Sequence, residues 1–170
     1  KALPFVREAK EEGIEFFSEC TPAYLGRDPL LLKMLSDSTG MKCLTNTGYY
    51  GARNNKFIPA SAMGMSAGQL SELWTEEWLN GIENTGIKPG FIKIAVERAP
   101  LSDFHATLAR AAAMTHLKTG LVIASHTGPS EPALRQIEIL AEEGVSAEAF
   151  IWVHSHEEKD PSKLAEAAKK

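Results

Sequence analysis

Residues 90–96 read GFIKIAV, residues 121–128 read LVIASHTG, and residues 150–154 read FIWVH. Each segment is a short, nearly continuous apolar run, which is typical of a strand buried on both faces of a parallel sheet. Successive segments begin about thirty residues apart, the length of one strand with its return helix and turns. The spacing predicts a repeating β/α unit in which each strand carries a lysine or a histidine at or near its end.

The rest of the chain continues this alternation of helices and strands. A first helix is followed by five strand–helix units, and every pair of successive strands is separated by a helix. Such an order predicts an α/β fold with a parallel sheet and right-handed crossovers. The predicted helices cover residues 3–12, 28–40, 66–80, 103–118, 131–143 and 160–170, and the two further strands cover residues 14–20 and 42–47.

Two architectures are compatible with this order, an open doubly wound sheet and part of a (β/α)₈ TIM barrel. Five strands in 170 residues would complete an open sheet, whereas a barrel needs eight strands and usually about 250 residues. Length alone therefore favours the open sheet. Against it, the chain contains neither a Walker motif nor a Gly-x-Gly-x-x-Gly segment, which weakens the case for a nucleotide-binding sheet.

The composition is that of an ordinary globular chain, and we expect one domain over residues 1–170. The net charge is −4, with 44% hydrophobic and 24% charged residues. Charges of both signs are interspersed, so no nucleic-acid-binding face is expected, and no apolar stretch approaches the ~20 residues that cross a bilayer. Two cysteines give no disulfide framework, and the first helix follows directly on the first residue without a signal peptide, so a cytoplasmic location is expected.

Lys93 is the most unusual residue of the first strand, because it lies between Ile92 and Ile94. A lysine on a strand end can extend its long stem until the amine reaches solvent. If the amine is instead buried, its pKa falls, and it can act as a base, form a Schiff base, or take up carbon dioxide as a carbamate. A carbamate carries two oxygens and can bridge two divalent metals, so Lys93 is a candidate catalytic residue and metal ligand.

His126 and His154 end the second and third strands. Each alone is compatible with a hydrogen-bonded histidine at a strand end. Their matching places in adjacent repeats favour a shared site, because the carboxyl ends of parallel strands meet at one edge of the sheet. Neutral imidazole is a good zinc ligand, so both residues are candidate metal ligands. The other histidines, His105, His116 and His156, are expected to lie on helix faces or a surface loop without a chemical role.

Tyr50 lies in the segment GYYG at residues 48–51, which follows the predicted strand 42–47. One tyrosine of this segment is expected to point toward the edge of the sheet where ligands bind. Packing under the loop over residues 52–65 and contact with substrate are both compatible with a phenol at this place. Tyr50 is therefore a second candidate catalytic residue.

Five segments in chain order carry a recognisable pattern: TPAYLGRD at residues 21–28, TGYY at 47–50, GIENTGIKPGFIK at 81–93, SHTG at 125–128 and VH at 153–154. Taken together, these segments resemble the phosphotriesterase family of the amidohydrolase superfamily. The resemblance implies a (β/α)₈ barrel with a two-metal site at the carboxyl ends of its strands. It implies that Lys93 is the carboxylated lysine of the fourth barrel strand, that His126 and His154 are the metal-binding histidines of the fifth and sixth, and that Tyr50 lies on the substrate side after the third.

The chain also departs from the family pattern. The family carries a His-x-His pair on its first strand and an aspartate on its eighth, and neither has a counterpart here. We therefore expect only about strands two to six of the barrel, truncated at both ends, with three of the six metal ligands. By itself this fragment is expected to be inactive.

The resulting hypothesis is a metal-dependent hydrolase that activates water on two divalent ions, with zinc as the first expectation, to cleave a phosphoester, a lactone or a related ester of a small-molecule substrate. The substrate and the metal are left open, and so is assembly as a homodimer. One alternative is a barrel relative that binds a small ligand without turnover. Another is an open-sheet enzyme that forms a Schiff base through Lys93.

Overall fold

The computed structural model describes residues 1–170, which form six α-helices, six β-strands and three short 3₁₀ turns. None of the helices combines the length and the apolarity that a membrane crossing requires. In chain order the elements are α1 Leu3–Glu11, β1 Phe16–Ser18, α2 Pro29–Thr39, β2 Lys42–Leu44, β3 Asn46–Thr47, α3 Ala67–Asn80, β4 Phe91–Ala95, α4 Asp103–Thr119, β5 Ile123–His126, α5 Ser130–Glu142, β6 Phe150–Val153 and α6 Pro161–Ala167.

Every strand pair is parallel, and within each of the two sheets the strands are paired in the order in which they follow along the chain. β1 pairs with β2, and the remaining strands form a sheet in the order β3-β4-β5-β6. An open doubly wound sheet reverses its strand order at a switch point, whereas a barrel wall adds each strand on the same side of the last one. The observed order is that of a barrel wall, so the open sheet favoured by length is not the fold.

The predicted strand 42–47 divides into β2 and β3, because its two halves pair with different neighbours. β2 lies beside β1, and β3 lies beside β4. Hydrogen bonds nevertheless continue through the junction: the carbonyl of Thr45 accepts from the Gly90 amide at 2.9 Å, and the Asn46 side-chain amide donates to the Glu19 carbonyl at 2.8 Å. The two sheets are therefore joined at this junction.

The helix boundaries follow local capping signals. The Asp28 carboxylate accepts from the Leu31 amide at 2.9 Å and starts α2, while Ser66 and Gln69 form a complete capping box at the start of α3. These helices begin where the sequence predicts. The predicted ends of the other helices lie within about three residues of the observed ones, since the ends are the least sharply defined part of a helix.

The hydrophobic core lies between the strands and the outer helices. Ile92, Ile94 and Ile123 are fully buried there, and the buried alanines of α4 leave room for the helix to approach the sheet. Burying one such isoleucine contributes roughly 1.5–3 kcal/mol. Since side chains alternate along a strand, Lys93 points to the opposite, inner face of β4.

Candidate metal centre

The sheet register brings the ends of β4, β5 and β6 to one edge. Ala95 pairs with His126, and His126 pairs with Val153, so the residue after Val153, His154, also lies at this edge. Lys93 lies two positions before Ala95 and shares its face of the strand. The parallel pairing therefore gathers residues that are far apart in sequence.

Lys93 is buried, with only 3% of its surface exposed. Its Nζ donates to the Ile94 carbonyl at 3.0 Å and has no carboxylate within 4 Å. Burial lowers the pKa of the Lys93 amine to about 8, a shift that the nearby Cys20 thiol only partly opposes. The alternative in which this amine extends into solvent is wrong, and a fraction of the amine is uncharged near neutral pH.

His126 and His154 lie in contact, with their ring centroids 4.6 Å apart in an edge-to-face arrangement. Burial lowers the pKa of His126 to about 4, and the positive charge of Lys93 and the neighbouring His154 act in the same direction. His126 is therefore a neutral imidazole at pH 7, the form that binds metals. His154 has a left-handed backbone, with φ of 68°, which turns the chain at the end of β6.

Tyr50 lies between the lysine and the first histidine. Its ring centroid is 5.2 Å from that of His126 and 5.7 Å from the Lys93 Nζ. The same ring packs on Phe57, with the two centroids 6.0 Å apart. Burial raises the pKa of the Tyr50 phenol above its usual value, so the hydroxyl keeps its proton at neutral pH. The sequence offers two interpretations of Tyr50, packing under the loop over residues 52–65 and a place at the edge of the sheet where ligands bind. In the structure the ring packs on Phe57 of that loop, and the residue also lies beside Ala95 at the sheet edge.

Tyr50, His126 and His154 line a cleft of about 280 Å³ at the carboxyl edge of the sheet, whereas the buried Lys93 is not part of its wall. The volume lies just below the range of ~300–1,000 Å³ that is typical of small-molecule sites. A larger depression of about 530 Å³ around Ser130 and Lys163 lies elsewhere and has no histidine in its wall. The cleft is lined by Tyr50, Ala52, Arg53, Val96, Glu97, Arg98, His126, Gly128, His154 and Glu157.

Two further residues lie near the edge: His156, for which the sequence predicts no chemical role, and Glu157, to which it assigns none. His156 and Glu157 lie with His154 so that one possible ligand atom from each falls within 4.8 Å of the others. The sequence places His156 on a surface loop, and it is indeed exposed. The run HSHE at residues 154–157 is the signal that could have pointed to this group, because a 3₁₀ turn after β6 gathers its side chains.

The donor set suits a divalent metal ion of the zinc type. Two imidazoles in contact, one of them neutral, supply nitrogen ligands. The buried amine of Lys93 has no anionic partner, and conversion to a carbamate would place oxygen ligands beside them. His126, His154 and Lys93, which the sequence predicts as ligands, thus lie together.

Comparison with known proteins gives a consistent result. The sequence model of the phosphotriesterase family matches residues 4–170. The chain is 27% identical over 154 residues to the aryldialkylphosphatase of Saccharolobus solfataricus, a match that covers 90% of this chain and 48% of that protein. It is 30% identical over 146 residues to the N-acetyltaurine hydrolase of Mus musculus, with 85% of this chain and 41% of that protein covered.

A solved structure shows the same fold. A double mutant of organophosphorus hydrolase from Deinococcus radiodurans superposes with a TM-score of 0.86 at 28% identity, covering 98% of this chain and 51% of that one. The barrel-type α/β fold predicted from the sequence is thereby confirmed. The chain spans about half the length of the curated relatives and of the solved structure that it matches.

Proposed function

Because this chain belongs to the phosphotriesterase family, we propose that it supplies metal ligands and part of the substrate cleft of a metal-dependent hydrolase. The observation that carries the proposal is the convergence of Lys93, His126 and His154 at one edge of a parallel sheet. The bond cleaved is a phosphoester, a lactone or a related ester or amide. The homologues named for an activity are hydrolases, which supports this class of reaction.

Lys93 has the surroundings that carbamate formation requires. The uncharged amine forms a bond to the carbon of carbon dioxide and releases a proton, which leaves an anionic carbamate with two oxygens. Burial supports this step, because it lowers the pKa of the amine to about 8 and so increases the uncharged fraction. The product replaces a poorly solvated buried cation with a metal ligand.

His126 and His154 would hold metal through ring nitrogens, and the neutral state of His126 removes the need to displace a proton at neutral pH. When bound, a pair of divalent ions supplies Lewis acidity and lowers the pKa of water toward ~7. Zinc is the ion we propose first, since imidazole nitrogen and carboxylate-type oxygen are both among its ligands.

Tyr50 is proposed to contact the substrate. Its phenol keeps its proton because burial raises its pKa, so it can donate a hydrogen bond to an oxygen of the group under attack. Its ring is fixed by contacts with Phe57 and His126, which limits the positions of the hydroxyl. A fixed donor stabilises developing charge without reorganising during the reaction.

The test combines metal analysis with turnover. The intact protein that contains this chain, and its Lys93→Ala and Lys93→Met variants, are assayed for bound zinc by mass spectrometry and for hydrolysis of an aryl dialkyl phosphate, a lactone and an N-acyl aminosulfonate. We expect both variants to lose the metal pair and to lose activity by more than about a hundredfold. Lys93→Met keeps the buried apolar stem, so it separates loss of metal from loss of folding.

Lys118→Ala is the matched control, because Lys118 is exposed on α4 and forms no ion pair within 4 Å. It should retain both metal and activity. Retained metal and turnover in Lys93→Met would overturn the proposal. A protein without metal whose carbonyl substrate is trapped on Lys93 by borohydride would favour the Schiff-base alternative, and a metal-free protein that binds ligand without turnover would favour the binding protein.

A further inference from the structure

The wall of the cleft carries two positive and two negative side chains, and one of the positive ones has no acidic partner. Its four charged residues are Arg53, Glu97, Arg98 and Glu157. Arg98 donates to Glu157 at 3.1 Å, and the Glu97 carboxylate accepts from the Asn54 amide. Arg53 has no carboxylate within 4 Å and makes no side-chain hydrogen bond. Arg53 is exposed, so its guanidinium is open to solvent at the cleft and has no protein acceptor.

The backbone at Arg53 and the two residues after it has an unusual, left-handed conformation. Arg53, Asn54 and Asn55 follow one another with φ of 60°, 56° and 56°, so that three successive residues other than glycine adopt the left-handed conformation. The turn is held by the hydrogen bond of Asn54 to Glu97 and by that of the Asn55 amide to the Gly51 carbonyl at 3.2 Å. Such conformations are costly and persist where the surroundings fix them.

We propose that Arg53 binds an anionic group of the substrate, a carboxylate or a sulfonate, and thereby makes the enzyme selective for negatively charged esters or amides over neutral ones. The inference rests on the proposed function, because it places this anion beside the bond that the metal centre would cleave. A guanidinium suits the role, since its planar donors match two oxygens of a carboxylate or sulfonate.

Two neighbouring features agree with this role. Arg53 lines the same cleft as Tyr50 and His126, which places an anion held by Arg53 within one small substrate's length of the candidate metal centre. The Arg98–Glu157 pair is exposed, with 75% and 40% of the side-chain surfaces accessible. Arg98 is occupied by Glu157 in this pair, which leaves Arg53 as the guanidinium of the cleft without an acidic partner.

The experiment measures binding and turnover separately. Binding to the intact protein that contains this chain, supplied with zinc, is measured by calorimetry with N-acetyl-β-alanine, its sulfonate analogue and its neutral primary amide, and kcat/KM is measured for the same three compounds. A charge-assisted hydrogen-bonded pair predicts that an anionic probe binds about 10–100-fold more tightly than the neutral amide. Arg53→Gln should reduce this preference to less than about threefold, with little change for the neutral amide.

Arg7→Gln is the matched control, because Arg7 is an exposed arginine on α1 without an ion pair. It should keep the full preference. Equal affinity for the anionic and neutral probes, no binding of either anion, or an unchanged preference in Arg53→Gln would each overturn the inference. A difference between the carboxylate and the sulfonate identifies which anion the site prefers.

The outcome separates this inference from the proposed function. Hydrolysis without a charge preference would leave the metal-dependent hydrolase in place and refute the role of Arg53. An anion preference that depends on Arg53, in a protein that holds no metal and cleaves none of the probes, would support the anion site and refute the hydrolase.

Discussion

Gly48 allows β3 and β4 to approach each other beside Lys93. It has φ of 113°, and a Cβ built on it would lie 2.2 Å from the Lys93 carbonyl oxygen. Gly48→Ala therefore adds a backbone clash to the cost of a positive φ. We expect it to reduce the free energy of unfolding by more than about 2 kcal/mol, as measured by denaturant unfolding, and to lower metal affinity because Lys93 must move.

Gly40→Ala is the control that separates the two costs. Gly40 also has a positive φ, 70°, but nothing lies within 4 Å of its Cβ position. It should cost only about 1 kcal/mol and leave metal binding unchanged. If the two variants were equally destabilising and both kept their metal, the close approach of Gly48 would have no part in placing Lys93.

Arg27 and Glu77 join the loop before α2 to α3 and β3. The Arg27 guanidinium forms a two-point contact with the Glu77 carboxylate at 2.8 and 2.6 Å and donates to the Asn46 carbonyl at 2.9 Å. Only 2% of the Arg27 side chain is exposed. Arg27→Leu leaves the Glu77 carboxylate without its partner, so we expect a loss of about 3–5 kcal/mol in unfolding free energy, measured by urea denaturation.

The double variant Arg27→Leu/Glu77→Leu should be less destabilised than the sum of the single variants, because it removes both charges. The exposed Lys33–Asp37 pair on α2 provides the comparison: with 58% and 63% of its side chains accessible, Lys33→Ala should change stability by less than about 0.5 kcal/mol. Additive effects of the two Arg27 and Glu77 substitutions would show that the pair is not coupled.

Local signals determine how well each element can be predicted from sequence. The starts of α2 and α3 are predictable because Asp28 and Ser66 cap their own helices. The break at Thr45 is not, because it depends on which neighbour each half of the segment pairs with. Lys93 and His126 could be found from their strands, whereas the left-handed turn that positions Arg53 has no hydrophobic periodicity to reveal it.

At the scale of the whole molecule, the order of the strands decides the architecture. Length predicts an open sheet, but the helices all return the chain to the same side, so each strand extends the wall in one direction. Sequence pattern identifies the β/α units without fixing the direction of their winding. The family motifs supplied that information, whereas the β/α repeat alone predicts that Lys93, His126 and His154 share one edge.

The outermost strands, β1 and β6, are the part of the structure from which we predict self-association of the 170-residue chain. β1 pairs only with β2, and β6 pairs only with β5, so each has an unpaired edge. Phe17 on β1 and Ile151 on β6 are 48% and 52% exposed. Exposed apolar strand edges template pairing with another copy. We expect the average mass measured by light scattering to rise with protein concentration.

Phe17→Lys combined with Ile151→Lys should reduce this rise, because a charge on an edge strand opposes pairing. Leu79→Lys combined with Leu117→Lys is the matched control: the two leucines are 50% and 57% exposed but lie on α3 and α4. It adds the same two positive charges without altering a strand, so the concentration dependence should persist. A monomer at every concentration would contradict the prediction, and an equal effect of the control would show that net charge, rather than the strand edges, controls the association.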